Sequence, residues 1–592
     1  MSLDAGAAET AEQGRTASFA GTAAPERAGL ADPDAALCAV VVVPARDEAE
    51  RIEACLRSLA AQNGVARERY ELIVVLDGCR DATREKVLAL GAREPTLRLH
   101  LVVLAEPEGV GRARRCGMDL ACERLLALGR EDGLIASTDA DSVVAPDWLS
   151  AQLALVRAGA EAIGGLIELD CDEAARLTPE AVGERDGRAV ERLRAVLSRE
   201  RAEIAEHHQF SGASLALTAQ AYRRCGGLPV RAALEDEALE QELRARGIAI
   251  HRSRRVRVTT SARTGGRAPR GLAQDLARAE WRARRSYAAS EFPLERLLAA
   301  KSESIALVLP AREVAATIGA VARHAVRLRE AGLLDEVLVV DAGSRDGTAE
   351  IAAQAGVRVV QEDELSAELG PSRGKGDAMW RALRVLDSEI VAFADTDTEG
   401  LGEHFLTGLL GPLVCDASVH FVKGFFCRPF RTGATLLPHG GGRVTELMAR
   451  PLLNLHAPEL AVFDQPLAGE TAGRRALLEQ IPFSAGYGVE IAMLIDAWRA
   501  VGLDSLAQVD LGVRQNRHQE LRELSAMSYA VLVAAQSRFL GADFADAHAG
   551  GSIALPRGEA GASAMESRRV TVEERPALAH MREGSQLAAP LG

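Results

Sequence analysis

The chain has 592 residues, 70 Lys and Arg against 84 Asp and Glu, and a net charge of −14, a length that predicts two large domains or about three smaller ones. The acidic balance, with no stretch of clustered Lys and Arg, excludes a nucleic-acid binder, and 13 Phe, 4 Trp and 5 Tyr leave little material for base stacking. Apolar runs such as Cys38 to Val43 stop far short of the roughly 18 to 20 residues that cross a bilayer, so no transmembrane segment is expected.

The first residues carry Asp4 and Glu9 and no basic patch ahead of an apolar run, so no secretory signal is expected. Nine cysteines, an odd number without a CxxC pair, fit reduced thiols and a cytoplasmic protein better than disulfides or a zinc site. Residues 1–36, rich in Ala, Gly, Glu and Thr without apolar periodicity, are expected to form a disordered arm.

Val40 to Val43 is a β-branched run ending at Pro44. Ile52, Cys55, Leu56 and Leu59 then recur at helical spacing, and Leu72 to Leu76 ends at Asp77 and Gly78. This strand, helix, strand order returns about 265 residues later. Ile305 to Leu309 ends at Pro310, a helical stretch covers Thr317 to Glu330, and Val337 to Val340 ends at Asp341 and Gly343. The copies read VVVPARDEAERI against LVLPAREVAATI, IVVLDGCRDAT against VLVVDAGSRDGT, and LIASTDADSVV against IVAFADTDTEG. Three landmarks in one order predict duplicated or fused domains. Short buried strands alternating with helices predict an α/β fold, two tandem Rossmann-like domains with mainly parallel sheets, whose ligands bind at the carboxyl ends of the strands. The expected boundaries are 37–265 for the first domain, 266–302 for a helical linker, 303–545 for the second domain and 546–592 for a mostly flexible tail, except around Val570 to Pro576.

Asp139 and Asp141, and again Asp395 and Asp397, follow apolar strands, so each pair of carboxylates projects where a sheet stops. Such pairs suit Mg²⁺ or Mn²⁺, which prefer hard oxygen ligands and neutralise a departing diphosphate. Lys375, between two glycines, could reach a donor diphosphate or sugar. The segment Gly370 to Gly376 is no P-loop, since Gly376 stands where Ser or Thr would bind Mg²⁺.

With these motifs the sequence resembles nucleotide-sugar glycosyltransferases of the GT-A fold over nearly all of both halves. The first half resembles family 2 glycosyltransferases through Pro44-Ala45-Arg46-Asp47-Glu48, Asp77-Gly78, the Gly109 to Arg115 segment, Asp139 and Asp141, and Leu234-Glu235-Asp236-Glu237. That resemblance implies donor contacts from Pro44, Asp47, Glu48 and Asp77, metal held by Asp139 and Asp141, and Asp236 as the base that takes the acceptor's proton.

The second half, from Leu307 to about His518, is similar to the glucosyl-3-phosphoglycerate synthases. The shared strings are Gly374-Lys375-Gly376, VKGFF, GGGRVTELMARPLLNL, QPLAGE, AGYGVEIAMLID and QVDLGVR; Glu574-Arg575-Pro576 is similar to the family's tail. The resemblance implies retaining transfer of glucose from a nucleotide sugar, UDP-glucose, to 3-phosphoglycerate. It places Pro310, Ala311, Glu313, Asp341, Lys375, Asp395, Asp397 and Tyr487 on the donor, and Glu490 beside the reacting carbon in a positioning and electrostatic role. Gly442, Arg443, Thr445, Arg514 and His518 fall to the acceptor, and Asn516 or His518 joins Asp395 and Asp397 on the metal. A phosphoglycerate needs a guanidinium fork and exposed backbone N–H groups, which the Gly440 to Arg443 run opening a helix at Val444 and Thr445 offers. Three positions depart from the family: Glu313-Val314 replaces Asn-Glu, Ala342 replaces Ser, and Asn516 replaces His.

Two other readings stay in view. In one, the first domain is the active inverting transferase on an unknown acceptor and the second is weakened or only binds ligand. In the other, one half binds nucleotide sugar without turnover and regulates its neighbour. A nucleotidyltransferase is disfavoured because Pro-Ala-Arg stands where a Gly-rich triphosphate loop would be. The expected partners are a nucleotide sugar and 3-phosphoglycerate, with homo-oligomerisation left open.

Overall fold

The computed structural model describes residues 26–27, 30–200, 202–231, 233–266, 270–398, 402–432, 435–437, 441–514, 521–556 and 565–581. The chain divides into two units, Met1–Glu280 and Trp281–Gly592. No helix among the described residues is long and apolar enough to cross a membrane.

The first unit has seven principal strands, in chain order Ala39–Ala45, Tyr70–Asp77, Leu99–Leu104, Leu134–Ser137, Ala162–Leu169, Leu215–Thr218 and Ile250–Thr260. Across the sheet they run third, second, first, fourth, sixth, fifth, seventh, with Glu26–Arg27 and Ser142–Val144 added at the edges. The first and second strands are buried along their whole length, as strands covered on both faces must be. Helix Ile52–Ala60 covers one face through the predicted Ile52, Cys55, Leu56 and Leu59.

The second unit repeats this arrangement with Ile305–Ala311, Glu336–Asp341, Arg358–Gln361, Ile390–Phe393, Phe421–Cys427, Thr471–Arg474 and Leu506–Val513 in the same spatial order. In both sheets the first four strands are parallel, the sixth is antiparallel to its two neighbours, and the fifth and seventh are parallel. The duplication expected from three motifs therefore extends to the topology. The first and fourth strands, where the chain reverses its direction of travel across the sheet, mark the crevice in which such folds bind ligands.

Around the expected linker, helices Leu272–Arg285 and Leu294–Ala300 are separated by Ser286–Ala288, which pairs in parallel with the seventh strand of the second unit. The helix expected over Leu521 to Phe539 runs Glu523–Leu540. The stretch expected as a mostly flexible tail holds the end of helix Ala542–His548 and the paired strands Ser552–Pro556 and Met565–Arg569, and within its excepted part Glu574–Arg575 pairs with Phe483–Ser484.

Candidate active site

Both units build the turn after the first strand with one hydrogen-bond pattern. Thr83 Oγ1 accepts from the Glu48 amide at 2.8 Å, and Thr348 Oγ1 from Val314 at 2.9 Å. Asp81 and Asp346 each accept from the next amide, of Ala49 and Ala315, at 2.9 Å. Asp47 and Glu313 take φ of 49° and 53°, an uncommon left-handed conformation for residues with a side chain. Their carboxylates accept from the amides of Arg80 (2.6 Å) and Arg345 (2.9 Å). Glu313 therefore does the loop-holding of Asp47, and Val314 takes the place of Glu48 without its charge.

The carboxylates ending the second strands differ. Asp77 accepts from the amides of Glu108 (2.7 Å) and Gly109 (3.0 Å), so both its oxygens serve the loop after the third strand. Asp341 accepts from Ser344 at 3.1 Å through Oδ2, while its buried Oδ1 has no hydrogen-bond partner. A buried acceptor left without a donor is costly, and such an atom at a strand end is suited to meet a ligand.

In the first unit, arginines close the paired aspartates. Arg114, almost fully buried, reaches Asp139 at 2.7 Å, Glu235 at 3.2 Å, Ser137 at 2.7 Å and the Gly212 carbonyl at 3.0 Å. Arg263 binds Glu48 at 3.0 and 2.6 Å and Asp141 at 2.9 Å. Burial, then Asp139, push the Asp141 carboxyl up to about 6 against the pull of Arg263. Asp236, at the start of helix Glu235–Ala245, accepts from the amides of Gly212 at 3.0 Å and Glu237 at 2.8 Å.

In the second unit the elements converge on Asp395. Lys375, the first residue of helix Lys375–Val385, donates to Asp395 at 2.5 Å and to Glu490 at 2.8 Å. Glu490 comes from the first turn of helix Val489–Val501, where negative charge is favoured. Burial disfavours the Lys375 ammonium, yet Asp395 and Glu490 hold it charged well above its ordinary range. Burial likewise opposes the Asp395 carboxylate, and Lys375 and Arg514 overcome it, so the group stays ionised. Arg514, fully buried just past the seventh strand, reaches Asp397 at 3.1 Å, Asp395 at 3.5 Å, and Glu470. The structure thus places Arg514 on the carboxylate pair. A side chain at Gly469 would overlap the Asp395 carboxylate, which gives that glycine a steric reason.

Three charged residues here were not singled out from the sequence. Glu470 is buried against Arg514, and burial pushes its carboxyl up. Lys423, also buried, donates to the Ala468 carbonyl at 2.6 Å, and burial lowers it to about 8. Arg428 lies with its guanidinium 4.7 Å from the Phe426 ring centre, and its buried Nε has no hydrogen-bond partner. Lys423 and Glu470 lie within the VKGFF and QPLAGE strings, but a single charge in a strand or just before one carries no spacing signal.

Gly442 takes φ +74°, and Gly441 donates its amide to the Arg428 carbonyl at 3.0 Å, which joins this turn to the strand-end cluster. Thr445 is buried at the start of the π-helical turn Thr445–Ala449, which runs into helix Arg450–His456, and Arg443 is half-buried. Tyr487, three residues before Glu490, is 55% exposed, whereas Pro310 and Ala311 end the first strand. The Pro310 carbonyl accepts from Thr396 at 2.7 Å. Pro44 lies in the matching strand of the first unit. Asn516 and His518 lie outside the described residues.

The family described as Glycosyl transferase family 2 matches residues 40–193 and 307–424, one segment in each unit. The glucosyl-3-phosphoglycerate synthase of Mycolicibacterium smegmatis is 44% identical over 243 residues, 41% of this chain and 80% of the relative. Among solved structures, the mannosyl-3-phosphoglycerate synthase of Rubrobacter xylanophilus is 41% identical, with TM-score 0.46, over 51% of this chain and 99% of that one. The Mycobacterium tuberculosis glucosyl-3-phosphoglycerate synthase, solved with Mn²⁺, UDP-glucose and phosphoglyceric acid, is 39% identical, with TM-score 0.43, over 49% and 95%. With a duplicated glycosyltransferase topology and a relative this similar over four-fifths of its length, the chain is a glycosyltransferase and belongs to the glucosyl-3-phosphoglycerate synthase family.

Proposed function

We propose that the second unit transfers glucose from UDP-glucose to 3-phosphoglycerate with retention of anomeric configuration, giving glucosyl-3-phosphoglycerate in the cytoplasm. The observation that carries this reading is the convergence of Asp395, Lys375 and Glu490 beside a glycine turn tied through Arg428 to the same cluster. Asp341 Oδ1 gives the nucleoside an acceptor, and Lys375 faces the position of the diphosphate and sugar. Glu490 lends negative charge where positive charge develops on the sugar in the transition state.

Asp395 and Asp397 form a hard-oxygen donor set two residues apart, with Gly469 keeping side-chain bulk off Asp395, and this set fits Mg²⁺ or Mn²⁺. When bound there, the ion would supply positive charge against the departing diphosphate. Lys375 and Arg514 keep the Asp395 carboxylate ionised and therefore ready for a cation.

The acceptor side is tested at Arg443. Replacing it with Ala removes a charge-assisted contact of about 1.5 to 3 kcal/mol, so KM for 3-phosphoglycerate rises about tenfold or more while KM for UDP-glucose stays within twofold. Initial rates over a matrix of both substrates give the two constants. An unchanged acceptor KM takes Arg443 out of the site.

A further inference from the structure

Lys375 donates to Asp395 and to Glu490, which comes from a different helix, and one segment near the end of the chain is fastened to both helices. Arg575 donates to Asp377 through Nε at 2.7 Å and Nη2 at 2.9 Å. Asp377 is fully buried, two residues beyond Lys375, and also accepts from Arg381 at 3.2 Å and from the Arg373 amide at 3.0 Å. Burial pushes the Asp377 carboxyl up, and Arg575 and Arg381 more than offset it, so the fork is a pair of full charges. The neighbouring Pro576 carbonyl accepts from Trp380 Nε1 at 2.8 Å, and the Arg575 guanidinium lies 5.5 Å from the Trp380 ring centre. These contacts pin the helix that begins at Lys375.

The same segment pins the other side. Glu574–Arg575 pairs antiparallel with Phe483–Ser484, and the Ala485 amide donates to the Glu573 carbonyl at 2.9 Å. Glu574 also accepts from Arg538 at 2.6 Å, and Arg538 in turn holds Asp496, on the helix that begins beside Glu490, at 2.8 Å. Between the two sides, the Ala485 carbonyl accepts from the amides of Gly376 at 2.9 Å and Asp377 at 3.3 Å. A side chain at Gly376 would overlap the Ser484 carbonyl, so the Ser484 turn and the Lys375 helix approach to backbone distance.

We propose that residues 570–581 are a positioning strap for the transferase site, with Arg575 as the positioning residue that fixes Lys375 and Glu490 relative to each other. The Arg575–Asp377 fork sets one helix start, the short strand pair sets the other, and neither requires Arg575 to touch substrate. The effect on catalysis rests on the glucosyl transfer proposed above, whereas the effect on the turn does not.

The test uses the full chain and its Arg575→Ala and Arg575→Lys variants, read by steady-state kinetics and by amide hydrogen exchange. In Arg575→Ala, exchange at Gly376, Asp377 and Ala485 rises at least about tenfold, while the strand Ile305–Ala311 is unchanged. Its kcat falls about 30- to 100-fold, with KM for 3-phosphoglycerate within about twofold, because misplacing a catalytic pair costs rate rather than acceptor binding. Arg575→Lys keeps the charge and loses the fork, so its kcat lies between the two; this variant carries the test if the alanine variant does not fold. Unchanged exchange overturns the strap. Raised exchange at unchanged kcat overturns its positioning role and leaves only a structural one. If the wild-type chain makes no glucosyl-3-phosphoglycerate, the substrate assignment falls, and exchange at the three amides still decides whether the strap holds the turn.

Discussion

Replacing Asp395 with Asn lowers the rate of glucosyl transfer to 3-phosphoglycerate about 10²- to 10³-fold, the loss expected when preorganised charge at the leaving group is removed. Asn keeps a hydrogen-bonding oxygen for Lys375, so the geometry at the end of the fourth strand persists and the effect falls on charge. Lys375 retains Glu490 as its counter-ion, and Arg514 retains Glu470 and Asp397. Initial rates at saturating substrates, beside circular dichroism and thermal unfolding, separate loss of chemistry from loss of fold. Activity retained in Asp395→Asn would move the chemistry to the first unit, whose Asp139 and Asp141 are held by Arg114 and Arg263.

Glu490→Gln is the second large effect. The amide preserves size and a hydrogen bond to Lys375 but removes the negative charge that the proposed reaction uses beside the sugar. We expect kcat to fall about 100-fold with little change in either KM, the signature of an interaction made in the transition state rather than in ground-state binding. A parallel rise in KM for UDP-glucose at unchanged kcat would instead make Glu490 a donor-binding group. The same variant reports on Lys375, since its ammonium is held by two carboxylates and keeps Asp395 when Glu490 is neutralised.

What could be read from the sequence was local. The β-branched run Val40 to Pro44 and its apolar copy at Ile305 to Pro310 announce strands, and both form, each running one residue past its proline. Asp139, Asp141, Asp395 and Asp397 were legible because two carboxylates two residues apart after an apolar strand are a short-range pattern. The closures were not. Arg263 meets Glu48 across 215 residues and Arg575 meets Asp377 across 198, and no periodicity links charges at such separations. The same limit applies to Arg514: the string QVDLGVR marks it as a site residue, while only the fold aims its guanidinium back at Asp395 and Asp397. The Gly- and Ala-rich tail offers no amphipathic face, so composition marks it as mobile except around Val570 to Pro576; the buried ion pair and two-residue strand lie in that excepted stretch, and their partners are set by the fold.

The central claim is the reaction itself, and direct product analysis tests it most closely. Purified full-length protein is incubated with 3-phosphoglycerate, Mn²⁺ or Mg²⁺, and in turn UDP-glucose, GDP-glucose and GDP-mannose, and products are identified by mass spectrometry and NMR. The account predicts glucosyl-3-phosphoglycerate with the α linkage of the donor retained, formed from UDP-glucose and absent in the Asp395→Asn variant. Transfer only from a mannosyl donor, a product of inverted configuration, or undiminished product from Asp395→Asn would contradict it.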